Sequence, residues 1–98
     1  MVVVMGVRSQ EGEESIVAPV RDAEAFAFVT LGEGMRIEAI EFRKSFENEL
    51  FDYIVTPDKH DDLEDAYDLG ARALLAMPGM SVEEIVEALM FRELDEIV

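Results

Sequence analysis

Val2-Val3-Val4-Met5-Gly6-Val7 is an unbroken apolar run, mostly β-branched, with the length and composition of a strand buried on both faces. Such a strand belongs at the centre of a sheet, so the rest of the chain is read as what flanks and covers it. Ala25-Phe26-Ala27-Phe28-Val29-Thr30-Leu31 is a second two-faced strand. Gly32-Glu33-Gly34 follows, with glycines able to take positive φ, and then Met35 to Phe42, which together predict a β-hairpin. Between the first two strands, the polar stretch from Arg8 to Glu14 reads as a loop. Ser15 to Ala18 can form a short strand that Pro19 stops.

The second half alternates. Phe51 to Val55 reads as a strand, and Thr56-Pro57-Asp58 after it is a helix-start signal, predicting a helix over about 58–69 that Gly70 ends. Ala71 to Ala76 is then a short strand, closed by the Pro78-Gly79 turn. Ser81 with Glu84 is a capping box, and Val82, Ile85, Val86, Leu89, Met90 and Leu94 follow at helical spacing, predicting a helix over about 82–96. The whole is an α/β fold with a mixed five-stranded sheet whose second half winds as βαβα. One joint is short: eight residues separate Phe42 from Phe51, fewer than the dozen or so that usually cross over to a parallel strand. That connection is either extended, with a stub of helix at Ser45 to Leu50, or one strand runs the other way.

Composition narrows the function classes. Ninety-eight residues, half of them apolar, suit a single domain, 1–98, around one core. With 23 acidic against 8 basic residues the formal charge is −15, which repels phosphate backbones and anionic lipids and attracts cations and basic protein surfaces. Nucleic acid and membrane are therefore not expected partners, and a protein with a basic surface is. The same charge also serves plain solubility. No cysteine is present, which removes disulfides, thiolate metal sites and thiol nucleophiles. Met1 to Val7 is too short for a signal-peptide core and no stretch approaches a membrane span, so a cytoplasmic protein is expected.

The titratable clusters each carry two readings. Asp58, His60, Asp61 and Asp62, with Asp65, offer one imidazole and several carboxylates, a ligand set suited to zinc, manganese or iron. The alternative is a solvated first helical turn whose acids complement the helix dipole. Arg21, Asp22 and Glu24 either line a crevice near the end of the central strand or form a turn before the next one. Ser9 to Glu14 has three carboxylates, one glycine and no lysine, so it is no phosphate cradle. The methionines read as gap-filling core. No nucleophile, base and acid combine into a catalytic set, so an enzyme is not expected. A metal-dependent hydrolase built on Asp58 to Asp65 is the remaining enzymatic alternative.

Order and spacing add a family resemblance. The opening strand, the entry Arg21-Asp22-Ala23-Glu24-Ala25-Phe26-Ala27-Phe28-Val29, the segment Phe51-Asp52-Tyr53-Ile54-Val55-Thr56, and the tail from Leu69-Gly70 through Met77-Pro78-Gly79 into Ser81 to Leu89 resemble the dinitrogenase iron–molybdenum cofactor biosynthesis family. These are the NifX-like domains, which also form the C-terminal part of NifB-type proteins; this chain resembles a short, divergent member. The resemblance implies a ribonuclease-H-like fold and a non-enzymatic accessory protein that binds or carries an iron–sulfur or iron–molybdenum cluster. Pro19-Val20-Arg21 stands where the family has His-Phe-Gly, and the helix before the third long strand is nearly absent, so no cofactor-binding residue is carried over. The alternative is an acidic interaction or regulatory module without a cluster, either a monomer or a homodimer paired through the free edge of the hairpin.

Overall fold

The opening strand, β1 (Val2–Val7), lies inside a single mixed sheet, as its unbroken apolar run requires. The computed structural model describes residues 1–97. In chain order the other strands are β2 (Val17–Ala18), β3 (Ala25–Leu31), β4 (Ile37–Arg43), β5 (Tyr53–Thr56), β6 (Arg72–Leu75) and β7 (Asp95–Glu96), with helices α1 (Glu64–Asp68) and α2 (Val82–Met90). The sheet order is β4-β3-β1-β5-β6-β7, with β2 paired to β1. Among the described residues it has seven strands rather than five, because two-residue strands β2 and β7 join the five long ones.

Pleating sorts the apolar side chains onto two faces. Val3, Met5, Val7, Ala27, Val29 and Val55 point to the side covered by Val82, Ile85 and Val86 of α2. Val4, Phe26, Phe28, Ile54 and Ala73 point to the other side, where Leu63 and Ala66 cover them. The two helices thus lie on opposite faces, and strands β1 and β3, buried from both sides, show no polar alternation.

The short joint is resolved in favour of an extended connection, since β5 pairs parallel to β1. Residues 44–52 contain no helix, not even the stub expected at 45–50. Aromatic side chains cover that part of the sheet instead. Phe46 meets Phe26 edge-on with ring centroids 5.1 Å apart and Phe51 at 5.7 Å, and Phe51 in turn lies 6.2 Å from Phe28.

Two helix boundaries differ from expectation. The helix predicted from 58 begins only at Glu64, because the polar groups of 56–62 bond to partners outside a helix, as described below. The helix predicted to reach 96 ends at Met90. There Arg92 takes a left-handed conformation at φ 56°, and the N–H groups of Arg92 and Glu93 donate to the carbonyls of Leu89 and Ala88 at 3.1 and 2.8 Å, a Schellman stop. The reversed chain then adds β7 antiparallel to β6. In the hairpin, Gly34 does take positive φ, at 68°, but Gly32 does not, and Met35 belongs to the turn rather than the strand. No helix among the described residues is long and apolar enough to cross a membrane.

Candidate functional site

The edge of β1 facing away from β3 is divided between two partners. Parallel β5 pairs with Val3, Val4 and Met5, and antiparallel β2 pairs with Gly6 and Val7. At Gly6 the chains pack closely: a Cβ there would sit 2.8 Å from the Ala23 methyl and 2.9 Å from the Ala18 carbonyl oxygen, so only glycine fits. Where β5 stops and β2 begins, the chain leaving β5 meets the chain leaving β2. This junction lies at the carboxyl ends of β1 and β5, the side of an α/β sheet on which ligand crevices form.

Asp61 ties the junction together. Its side chain is fully buried, and its carboxylate accepts five hydrogen bonds: from the Val20 N–H at 2.6 Å, the Thr56 hydroxyl at 2.7 Å, the Asp62 N–H at 2.9 Å, and the N–H and guanidinium of Arg21 at 3.4 Å each. The Thr56 hydroxyl, itself buried, also accepts from the Asp58 N–H at 3.3 Å. One carboxylate thereby joins the segment after β2 to the segment after β5 and leaves no buried polar side-chain atom unpaired among the described residues.

Arg21 closes the outer side. Its Nη2 lies 2.6 Å from Asp58 Oδ2, its Nη1 3.4 Å from Asp61, and its Nε 3.8 Å from Asp22. Asp58 Oδ1 accepts the His60 N–H at 2.8 Å, and this bond, followed by the one from Arg21, holds the Asp58 carboxyl below the ordinary carboxylate range. Arg21 is pushed up in return, first by its hydrogen bond to Asp58. The two titratable clusters singled out in the sequence are therefore neighbours, joined by one guanidinium across 40 residues.

Of the expected metal ligands, the structure brings Asp58 and Asp61 together on Arg21 and leaves His60 and Asp62 exposed. Asp65 sits in the first turn of α1, facing a separate shallow cavity with Asp68 and Glu47. Glu24 is exposed, with its backbone N–H bonded to Val7. Asp61 has its oxygens already engaged, so its chemistry here is that of a structural acceptor. Among the described residues no three His, Asp or Glu side chains converge on one point that could hold an ion. Beside the junction lies an open cavity of about 390 Å³ lined by Lys59, His60, Leu75, Asp95, Glu96 and Ile97. Its lining mixes one cation, an imidazole and two carboxylates. In the sequence Thr56 reads as part of a helix-start signal rather than as a site residue, and Lys59 is not singled out; a polar Thr56 closing the apolar strand β5 is the signal that marks this corner.

No protein-family model matches the chain, and no curated protein matches it significantly. Solved structures do. PH0822 superposes with a TM-score of 0.77 at 15% identity, covering 98% of this chain and 96% of that one. A Methanocaldococcus jannaschii protein named a "putative dinitrogenase" gives 0.74 at 12% identity, over 99% and 94% of the two chains. A Thermotoga protein named a "putative NifB protein" of the DUF35 family gives 0.68 at 16% identity, over 97% and 91%. At these identities the likeness is one of fold: a distant structural relationship over essentially the full length, sharing the mixed α/β architecture.

Proposed function

We propose that this chain is a non-enzymatic accessory protein of the NifX-like kind, with a ribonuclease-H-like sheet, that binds or hands on an iron–sulfur or iron–molybdenum cluster as cargo in the cytoplasm. The observation that supports this reading is the end-to-end match of fold with proteins named for dinitrogenase and NifB. Without cysteine, the cargo would be held by nitrogen and oxygen. His60, which lines the cavity, and Asp62, two residues on, are the exposed candidates, and Arg21 with Asp58 and Asp61 fixes the loop that presents them.

The test is to express the chain without oxygen, fractionate it by size and assay each fraction for iron, molybdenum and zinc, with and without added cluster. Stoichiometric metal in the protein peak, lost in a His60→Ala, Asp62→Ala variant, is the expected result. A metal-free peak under both conditions would sink the carrier reading.

A further inference from the structure

Away from the junction, the end of α2 leaves large apolar side chains in water. Phe91 is 65% exposed and Met90 44% exposed. They face an open cleft of about 510 Å³ between α2 and the turn joining β3 to β4, which Met35, Ile37 and Val86 also line. Exposed apolar side chains that are neighbours rather than scattered mark a surface that another molecule covers. Two of these are methionines, whose flexible thioethers adapt to varied partners. The rim carries Glu13, Glu83 and Glu87 against the single cation Arg36.

That combination of apolar lining and acidic rim selects an occupant. A second copy of this chain would bring the same carboxylates against their own kind, with −15 facing −15. The free edge of β4 is no better for self-pairing. A register shift disturbs its start, and Glu41 and Arg43 are paired with each other along it. A segment with apolar residues on one side and lysines or arginines on the other satisfies both features. We propose that the cleft is a docking groove for a basic amphipathic helix of another protein, its apolar anchors seated on Met35, Met90 and Phe91 and its cations on Glu83 and Glu87. This surface lies on the α2 face of the sheet, apart from the Asp61 junction, and the inference stands whether or not the chain carries a cluster.

The probe is a fluorescent peptide of about 14 residues, leucines on one helical face and lysines on the other, titrated against the metal-free protein by anisotropy. A peptide of the same composition, scrambled to remove the apolar face, serves as control. Binding is expected to weaken roughly tenfold or more in Met90→Gln, Phe91→Ser and again in Glu83→Lys, Glu87→Lys. An equal charge change on the α1 side, Glu47→Lys, Asp68→Lys, is expected to cost under about threefold, and the scrambled peptide to bind as weakly as the cleft variants. Equal binding of the scrambled peptide, or equal loss in both charge reversals, would reduce the effect to general acidic attraction and overturn the proposal. So would a wild-type dimer in sedimentation that Phe91→Ser converts to monomer, since the groove would then belong to a second copy.

Discussion

Thr56-Pro57-Asp58 and Ser81-Val82-Glu83-Glu84 carry helix-start signals of the same kind, yet only the second starts a helix where the signal stands. In the second, both partners of the capping box are local: Ser81 Oγ accepts the Glu84 N–H at 3.2 Å, and Glu84 Oε1 accepts the Ser81 N–H at 3.0 Å. In the first, the Asp61 carboxylate that could have served the helix accepts three of its five bonds from Val20 and Arg21, far away in sequence. The Val20 N–H lies 41 residues before Asp61 and bonds it at 2.6 Å. Starting a helix fixes several residues for one hydrogen bond, so a competing set of five bonds to Asp61 defers the start to Glu64. A capping signal decides structure when its best donors are its neighbours.

The difference can be broken from either side. Asp61→Ala removes the acceptor from a buried set of donors and is expected to lower unfolding stability by about 3 kcal/mol, measured by urea denaturation. If the loss were under about 1 kcal/mol, the buried carboxylate would not be holding the two segments. Ser81→Ala breaks a local cap and is expected to cost about 1 kcal/mol, with no change in the 56–62 segment by amide exchange. The helix ends give a third, smaller comparison. Gly70, at φ 87°, and Arg92, at φ 56°, occupy the same position in the same hydrogen-bonded stop. Arg92→Gly removes a left-handed side chain and is expected to raise stability by about 0.5–1 kcal/mol, read as a higher Tm.

The smallest effect concerns acid. Asp58 has a folded pKa below its unfolded value of about 3.8, so its contribution is complete above the unfolded value and is lost as pH falls through the folded one. Stability measured from about pH 5 down to pH 2 is expected to fall more steeply in the parent than in Asp58→Asn. Parallel curves would show that the His60 and Arg21 contacts do not persist in solution.

Features that rest on local pattern were legible in the sequence: the two-faced strands β1 and β3, the hairpin, the Ser81 cap and the Gly70 stop. The end of α2 was not, because a left-handed arginine carries no signal that a glycine would. The helix-free crossing to β5 was only half legible. Its shortness was visible, but nothing local shows that Phe46 and Phe51 would cover the face a helix usually covers. At the junction, the sequence pointed to both the Arg21 and the Asp58 to Asp62 groups as regions of interest. That one guanidinium joins them follows from the division of the β1 edge, which is a property of the sheet and not of either segment.

That divided edge bears on how the chain is made. During synthesis β1 and β3 can pair once Leu31 has emerged, but the other edge of β1 gains β5 only once residues 53–56 exist. Until then β2 can cover only Gly6 and Val7 of that edge, and the apolar stretch Val3 to Met5 stands with free N–H and carbonyl groups, the kind of template on which nascent chains stick to one another. Eleven acidic residues lie within residues 1–52, against five basic ones. They give each unfinished chain a net negative charge that holds its neighbours off during that interval, so part of this protein's acidity protects it before it is folded.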